Sequence, residues 1–164
     1  FDDSKKLTKQ KRNICYKHIL YLKKKSLIKF YIGKASVEEI DNINILQASM
    51  LAMSRAIKSF PYKYSKKALI IIDGKNQPKL KNFNFKTIVR GDEKSLSIAA
   101  ASIIAKVHRD KIMKKLSIIF PEYGWASNMG YGTVKHIDAL KSIGINKYHR
   151  KSFSPIKALI HNNY

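Results

Sequence analysis

Arg90-Gly91-Asp92-Glu93-Lys94-Ser95-Leu96-Ser97-Ile98-Ala99-Ala100-Ala101-Ser102-Ile103-Ile104-Ala105-Lys106-Val107-His108-Arg109-Asp110 joins a glycine turn, an acidic residue, a run of small side chains and a basic helix end in one stretch. Ser95 or Ser97 is placed to cap a helix whose inward stripe reads as Ile98, Ala101, Ser102 and Ala105. Side chains this small let a helix lie close against a sheet. Lys106 and Asp110 stand at i,i+4 spacing, worth only about 0.2–0.5 kcal/mol, so Asp110 reads as structural.

Immediately upstream, Phe85 to Val89 is the strand that delivers Arg90-Gly91-Asp92. Before it, Ala68-Leu69-Ile70-Ile71-Ile72 is a continuous apolar run of strand length, the pattern of a strand buried on both faces of an α/β sheet, and Asp73-Gly74 ends it. A carboxylate at the carboxyl end of such a strand lies where open α/β sheets place their ligands; an Asp that only starts the turn is the alternative. Asp92 repeats that placement, and two neighbouring strands would bring the carboxylates together.

The chain has 164 residues, 45% of them hydrophobic, the size of one globular domain with a real core. Thirty-three Lys and Arg against 11 Asp and Glu give a net charge of +22, which points to a polyanionic partner. A low-GC genome that enriches Lys everywhere is the bland alternative, with Lys23, Lys24 and Lys25 as a solvated face. The single cysteine, Cys15, excludes an internal disulfide and a thiolate zinc site. Neither a membrane-length apolar run nor a signal peptide is visible, so a soluble, cytoplasmic protein is expected.

The remaining elements follow from periodicity. Residues 2–8 are polar and suited to cap a helix carrying Ile14, Ile19, Leu20 and Leu22 inward. Leu27 to Ala35 is aromatic and β-branched, predicting a strand near 28–35. Ser36, with Glu38 and Glu39 behind it, caps a short helix. Ile43 to Ser59 repeats apolar residues at three- and four-residue spacing and predicts a long helix with Met50 and Met53 as core fillers. Downstream, Lys111 to Ile119 continues the central helix to Phe120-Pro121. Gly124 to Thr133 is a glycine-spaced loop with two aromatic residues: Trp125 reads as core, and a loop of this kind can hold a ring against a sugar or base. Short helices are expected over Thr133–Ile143 and around Ile156, Leu159 and Ile160, with a basic turn-like segment at 148–155 between them.

Asp3-Ser4-Lys5-Lys6-Leu7-Thr8, Ile72-Asp73-Gly74, Arg90-Gly91-Asp92, Ile98 to Asp110, Gly130-Tyr131-Gly132-Thr133 with His136, and His149-Arg150-Lys151-Ser152-Phe153 together resemble bacterial ribonuclease HII in order and spacing. The resemblance covers nearly the whole chain. It implies an α/β, RNase H-like mixed sheet flanked by helices in a single domain. It also implies a metal-dependent endonuclease that cuts the RNA strand of RNA–DNA hybrids and duplex DNA at embedded ribonucleotides. In that family four carboxylates hold Mg²⁺ or Mn²⁺, hard cations that take oxygen ligands, and two ions about 3.5–4 Å apart activate water and stabilise the leaving oxygen. Two of the four correspond to Asp73 and Asp92. The resemblance further places Ser4, Lys5 and Arg90 against substrate, and Tyr131 on the sugar beside the cleaved bond. Arg90 stands where the family has lysine, which keeps the charge and changes its geometry.

The other two family carboxylates come from an Asp-Glu pair followed by Gly-Arg-Gly on the first strands. No Gly-Arg-Gly occurs here, and the chain's Asp-Glu is Asp92-Glu93. The expectation is a ribonuclease HII domain lacking its first two strands, monomeric, and weakly active or inactive by itself. A non-catalytic basic nucleic-acid-binding module and a decayed fragment are the competing readings.

Overall fold

The computed structural model describes residues 7–61 and 68–161. Within it the chain forms two compact units, Phe1–Lys34 with Ser49–Val107 and Ala35–Ala48 with His108–Tyr164, each with a core of its own.

In the first unit, α1 (Lys9–Lys24) starts at Thr8, whose hydroxyl accepts the Lys11 N–H at 3.3 Å. Residues 2–6 of the expected cap lie outside the described residues. The buried side of α1 is centred on Ile19, 2% exposed, with Cys15 and Tyr16 beside it, whereas Ile14 is 67% exposed. The expected face is thus rotated by about one residue. The expected strand at 28–35 does not form: residues 28–36 are neither strand nor helix. Aromatic character there serves packing instead, with Ile28 and Phe30 against the core and Tyr31 edge-on to Phe60 at 4.6 Å.

The sheet among the described residues has two strands, β1 (Leu69–Asp73) and β2 (Asn84–Ile88), paired in parallel with Leu69 opposite Asn84 and Asp73 opposite Ile88. Both strands lie within a residue of their expected positions. Burial on both faces does not hold: in β1 only Ile72 is buried, and Leu69 is 60% exposed. After β2 comes a single helical turn, α3 (Gly91–Lys94), and then the long helix α4 (Leu96–Ile119). Ser95 precedes α4 and its carbonyl accepts the Ala99 N–H at 2.9 Å. The buried residues of α4 in this unit are Ile98, Ala99, Ile103, Ile104 and Val107, while Ala101 and Ala105 are exposed. The expected stripe of small residues is therefore corrected: the branched side chains remove more apolar area from water, so they set which face turns inward.

The helix α2 runs over Val37–Lys58 but breaks at Asn44 (φ 64, ψ 166). Ser36 and Glu39 form a reciprocal capping box ahead of it. The Asn44 carboxamide oxygen then caps the second stretch, accepting N–H groups of Leu46 and Gln47 at 3.0 and 3.1 Å. The two expected helices are thus both present, joined at one residue.

The second unit contains a 3-10 turn (Pro121–Tyr123), α5 (Trp125–Asn128), α6 (Val134–Ile143) and α7 (Ile156–His161). Thr133 caps α6 and Gly144, at φ 77, ends it. Met113, Tyr123, Trp125, Ala139, Leu140 and Ile156 form its core. Trp125 is 2% exposed, as a core residue should be.

Candidate active site

Asp73 ends β1, and parallel pairing sets it opposite Ile88, the last residue of β2. The chain leaves β2 through Arg90, a non-glycine residue in the left-handed region (φ 55, ψ 48), and turns into α3. That turn aims the Gly91 N–H at Asp73, whose Oδ1 accepts it at 2.8 Å. The approach at Gly91 is close: a Cβ there would stand 2.6 Å from Ile98 Cδ1, the far end of a flexible side chain, and 3.4 Å from both the Cα and Oδ1 of Asp73. Lys94 Nζ donates back to the Val89 carbonyl at 2.9 Å and closes the turn. Asp92 therefore follows directly on the residue that binds Asp73. Asp73 is exposed and Asp92 half-buried.

Among the described residues no group of three or more His, Cys, Asp or Glu side chains is placed to hold a metal ion. Carboxylate oxygens such as those of Asp73 and Asp92 are the kind of ligand that hard divalent cations take. Ser4 and Lys5 lie outside the described residues. Arg90 is exposed at the turn itself.

Tyr131 belongs to the second unit, where its side chain is 66% exposed. Buried Asn128 shapes the loop that presents it. Its Oδ1 accepts the Gly130 N–H at 2.8 Å, its Nδ2 donates to the Tyr123 carbonyl at 2.8 Å, and its own carbonyl accepts the Tyr131 N–H at 2.9 Å. Gly130 takes φ 83, and a Cβ on it would lie 3.1 Å from Met113 Cε. Asn128 is not among the residues expected from sequence, although an Asn two residues before a glycine is a recognisable turn signal.

Below the loop, Tyr123 stacks on Trp125 at 4.9 Å and meets the ring of His149 at 4.7 Å. His136 Nδ1 lies 3.1 Å from the Tyr123 carbonyl, so that nitrogen carries the proton and donates. His149 Nδ1 accepts the Asn146 N–H at 3.0 Å. Burial first, and the charge of His136 second, push the His149 pKa down to about 4; the imidazole is neutral at physiological pH and its role is structural.

Asp41 gives no signal in the sequence, because its partners are 110 and 111 positions away. It accepts the Lys151 N–H on Oδ2 at 2.9 Å, and on Oδ1 the Ser152 N–H at 2.9 Å and the Ser152 hydroxyl at 2.6 Å. Burial acts to raise its pKa, but these hydrogen bonds and the Lys151 charge outweigh it and hold the carboxyl below its ordinary value.

A sequence profile of the ribonuclease HII family matches residues 1–156. The chain belongs to the ribonuclease HII family. Ribonuclease HII of Pelagibacter ubique is 53% identical over 158 residues, covering 96% of this chain and 81% of that protein. Ribonuclease HII of the Wolbachia of Brugia malayi is 47% identical over 155 residues, covering 94% and 72%. That of Jannaschia is 45% identical over 159 residues, covering 97% and 76%. Membership of the ribonuclease HII family makes this chain a ribonuclease-type hydrolase by descent, and its mixed helix-and-parallel-strand architecture is consistent with an RNase H-like domain.

Proposed function

We propose that this chain is an endoribonuclease acting on the RNA strand of RNA–DNA hybrids and on ribonucleotides embedded in duplex DNA, with Asp73 and Asp92 holding Mg²⁺ or Mn²⁺. The observation that carries the proposal is the hydrogen bond from Gly91 N to Asp73 Oδ1, which ties the end of β1 to the turn bearing Asp92. The chemistry supplied by divalent ions at such a site is activation of water and neutralisation of charge at the leaving oxygen. The protein's own part is to hold the carboxylates in place. Asp73 keeps one oxygen on Gly91 and has lone pairs to spare; Asp92 is oriented by the short turn around it. Tyr131 offers an exposed ring to the sugar next to the scissile bond, and the 2′-hydroxyl is the group by which RNA is told from DNA. Ser4, Lys5 and Arg90 contact backbone phosphates.

The test is cleavage of an end-labelled DNA duplex containing one ribonucleotide, in Mn²⁺. The expected result is scission at the ribonucleotide that Asp73→Asn and Asp92→Asn each reduce by about 100-fold or more, since loss of even an outer partner of a metal ligand costs 10–100-fold. The net charge of +22 supports a second reading, a basic module that binds duplexes without cutting them. Tight, steeply salt-dependent binding with no scission, unaffected by either Asn substitution, would favour it.

A further inference from the structure

The helix α1 ends at Lys24, and the turn after it closes with the Ser26 N–H donating to the Lys23 carbonyl at 3.0 Å and the Leu27 N–H to the Leu22 carbonyl at 3.1 Å. Ser26 takes φ 58, the left-handed position that glycine ordinarily fills after a helix. A serine there gives up backbone ease and gains a hydroxyl, and strained non-glycine residues of this kind gather at ligand-binding turns. The turn folds the chain back on the helix end, so that Ile28, Lys29, Phe30 and Tyr31 line a cleft of about 300 Å³ together with Lys23 and Ser26. That volume is at the small end of ligand sites. Ile28 and Phe30 are half-buried and packed on the core around Ile19. Lys23 Nζ stands 4.2 Å over the Phe30 ring, and Tyr31 is fixed edge-on to Phe60 at 4.6 Å. No acidic side chain among the described residues lines the cleft. An apolar, aromatic floor thus lies beside two lysines and two hydroxyls, and the cleft shares no residue with the Asp73–Asp92 turn or the Tyr131 loop.

We propose that this cleft binds a free nucleoside monophosphate. The flat base suits the floor of Ile28 and Phe30 beside the Tyr31 ring. A phosphate monoester carries about −1.5 to −2 charges at pH 7, which two ammonium groups match; an aromatic carboxylate, with one charge, matches only one of them. Lysine binds phosphate as a point charge with three donors, and the apolar surface under Lys23 strengthens that attraction by lowering the local dielectric. The Ser26 and Tyr31 hydroxyls offer hydrogen bonds to the sugar and base. The site goes beyond the nuclease reading and does not depend on it, because its ligand is a mononucleotide and not a duplex.

The test is titration of the full chain with AMP, without divalent metal, followed by calorimetry and by the amide and aromatic NMR signals of residues 23–31. Saturable binding that shifts those signals is expected. Adenosine and inorganic phosphate, which each carry one half of the ligand, should bind at least about tenfold more weakly. Lys23 and Lys29 are exposed, so Lys23→Gln and Lys29→Gln leave the fold intact, and each should weaken AMP about tenfold, the effect of losing a charge-assisted hydrogen bond. Ser26→Gly separates binding from packing: relief of the left-handed serine should raise the urea midpoint, while loss of the hydroxyl weakens AMP severalfold. Scission of the ribonucleotide-containing duplex should be unchanged in Lys29→Gln. Absence of saturable binding, inorganic phosphate binding as tightly as AMP, shifts confined to the Tyr131 loop, or parental AMP affinity in both lysine variants would each overturn the proposal. A chain that binds AMP in this way and never cuts would remove the nuclease reading and leave this site standing.

Discussion

At the scale of single residues, His149 connects packing to pH. Its ring is 5% exposed, and its pKa falls from 6.5 to about 4 on folding. Between those values the unfolded chain binds the proton and the folded chain does not, so unfolding becomes more favourable as pH falls. The stabilisation is complete above about pH 6.5 and is lost progressively toward pH 4, amounting to about 3 kcal/mol if this group acts alone. Urea midpoints measured across that range should show the decline, and His149→Gln should flatten it. Gly91 offers a different test. Alanine gains helix propensity but meets Ile98 and Asp73, so net stability should change by no more than about 1 kcal/mol. Mn²⁺ affinity, followed by titration, should fall clearly more than stability does, because the displaced group is the one that orients Asp73. Both carboxylates are legible in the sequence from their positions at strand ends. Gly91's contact with Asp73 is not, since it depends on two strands pairing in register.

At the scale of elements, helices are legible in the sequence wherever caps and periodicity agree. Ser36 with Glu39, Thr133 with Gly144, and Phe120-Pro121 all mark helix ends close to where they occur. The 28–35 segment misleads because β propensity describes a half-buried pleated surface and not a backbone preference; here the aromatics pack on helices and no strand among the described residues pairs with them. Gly33 shows the consequence. A Cβ there would sit 1.8 Å from the Ala52 carbonyl oxygen and 2.7 Å from the Ala56 nitrogen, so this segment lies directly on the backbone of α2. Gly33→Ala should destabilise by about 1–3 kcal/mol through overpacking, read as a lower urea midpoint. Asn44→Ala should cost about 1 kcal/mol for the lost cap, with part of the cost arising from the positive φ that alanine tolerates poorly.

At the scale of the whole molecule, charge is the dominant property. A chain at +22 that engages six or more phosphates should lose on the order of 10³-fold in duplex affinity between 50 and 200 mM salt. Equilibrium binding at graded salt measures this directly, and a shallow dependence would argue that the charge reflects composition and not a contact surface. No helix among the described residues is long and apolar enough to cross a membrane. Division into two compact units is not visible in the sequence, because α2 and α4 each run through the boundary without a linker, a composition shift or a proline to mark it.

The sequence by itself determined family membership, through motifs spread in order along nearly the whole chain, and the local chemistry of helix ends, two strands and two aspartates at strand exits, set by neighbours a few positions away. The tertiary structure alone decided which helix faces are buried and that Gly91 binds Asp73. It alone brought Asp41 to Ser152. Those outcomes depend on which surfaces meet, and residues 18 or 111 positions apart carry no mutual signal until packing excludes water between them.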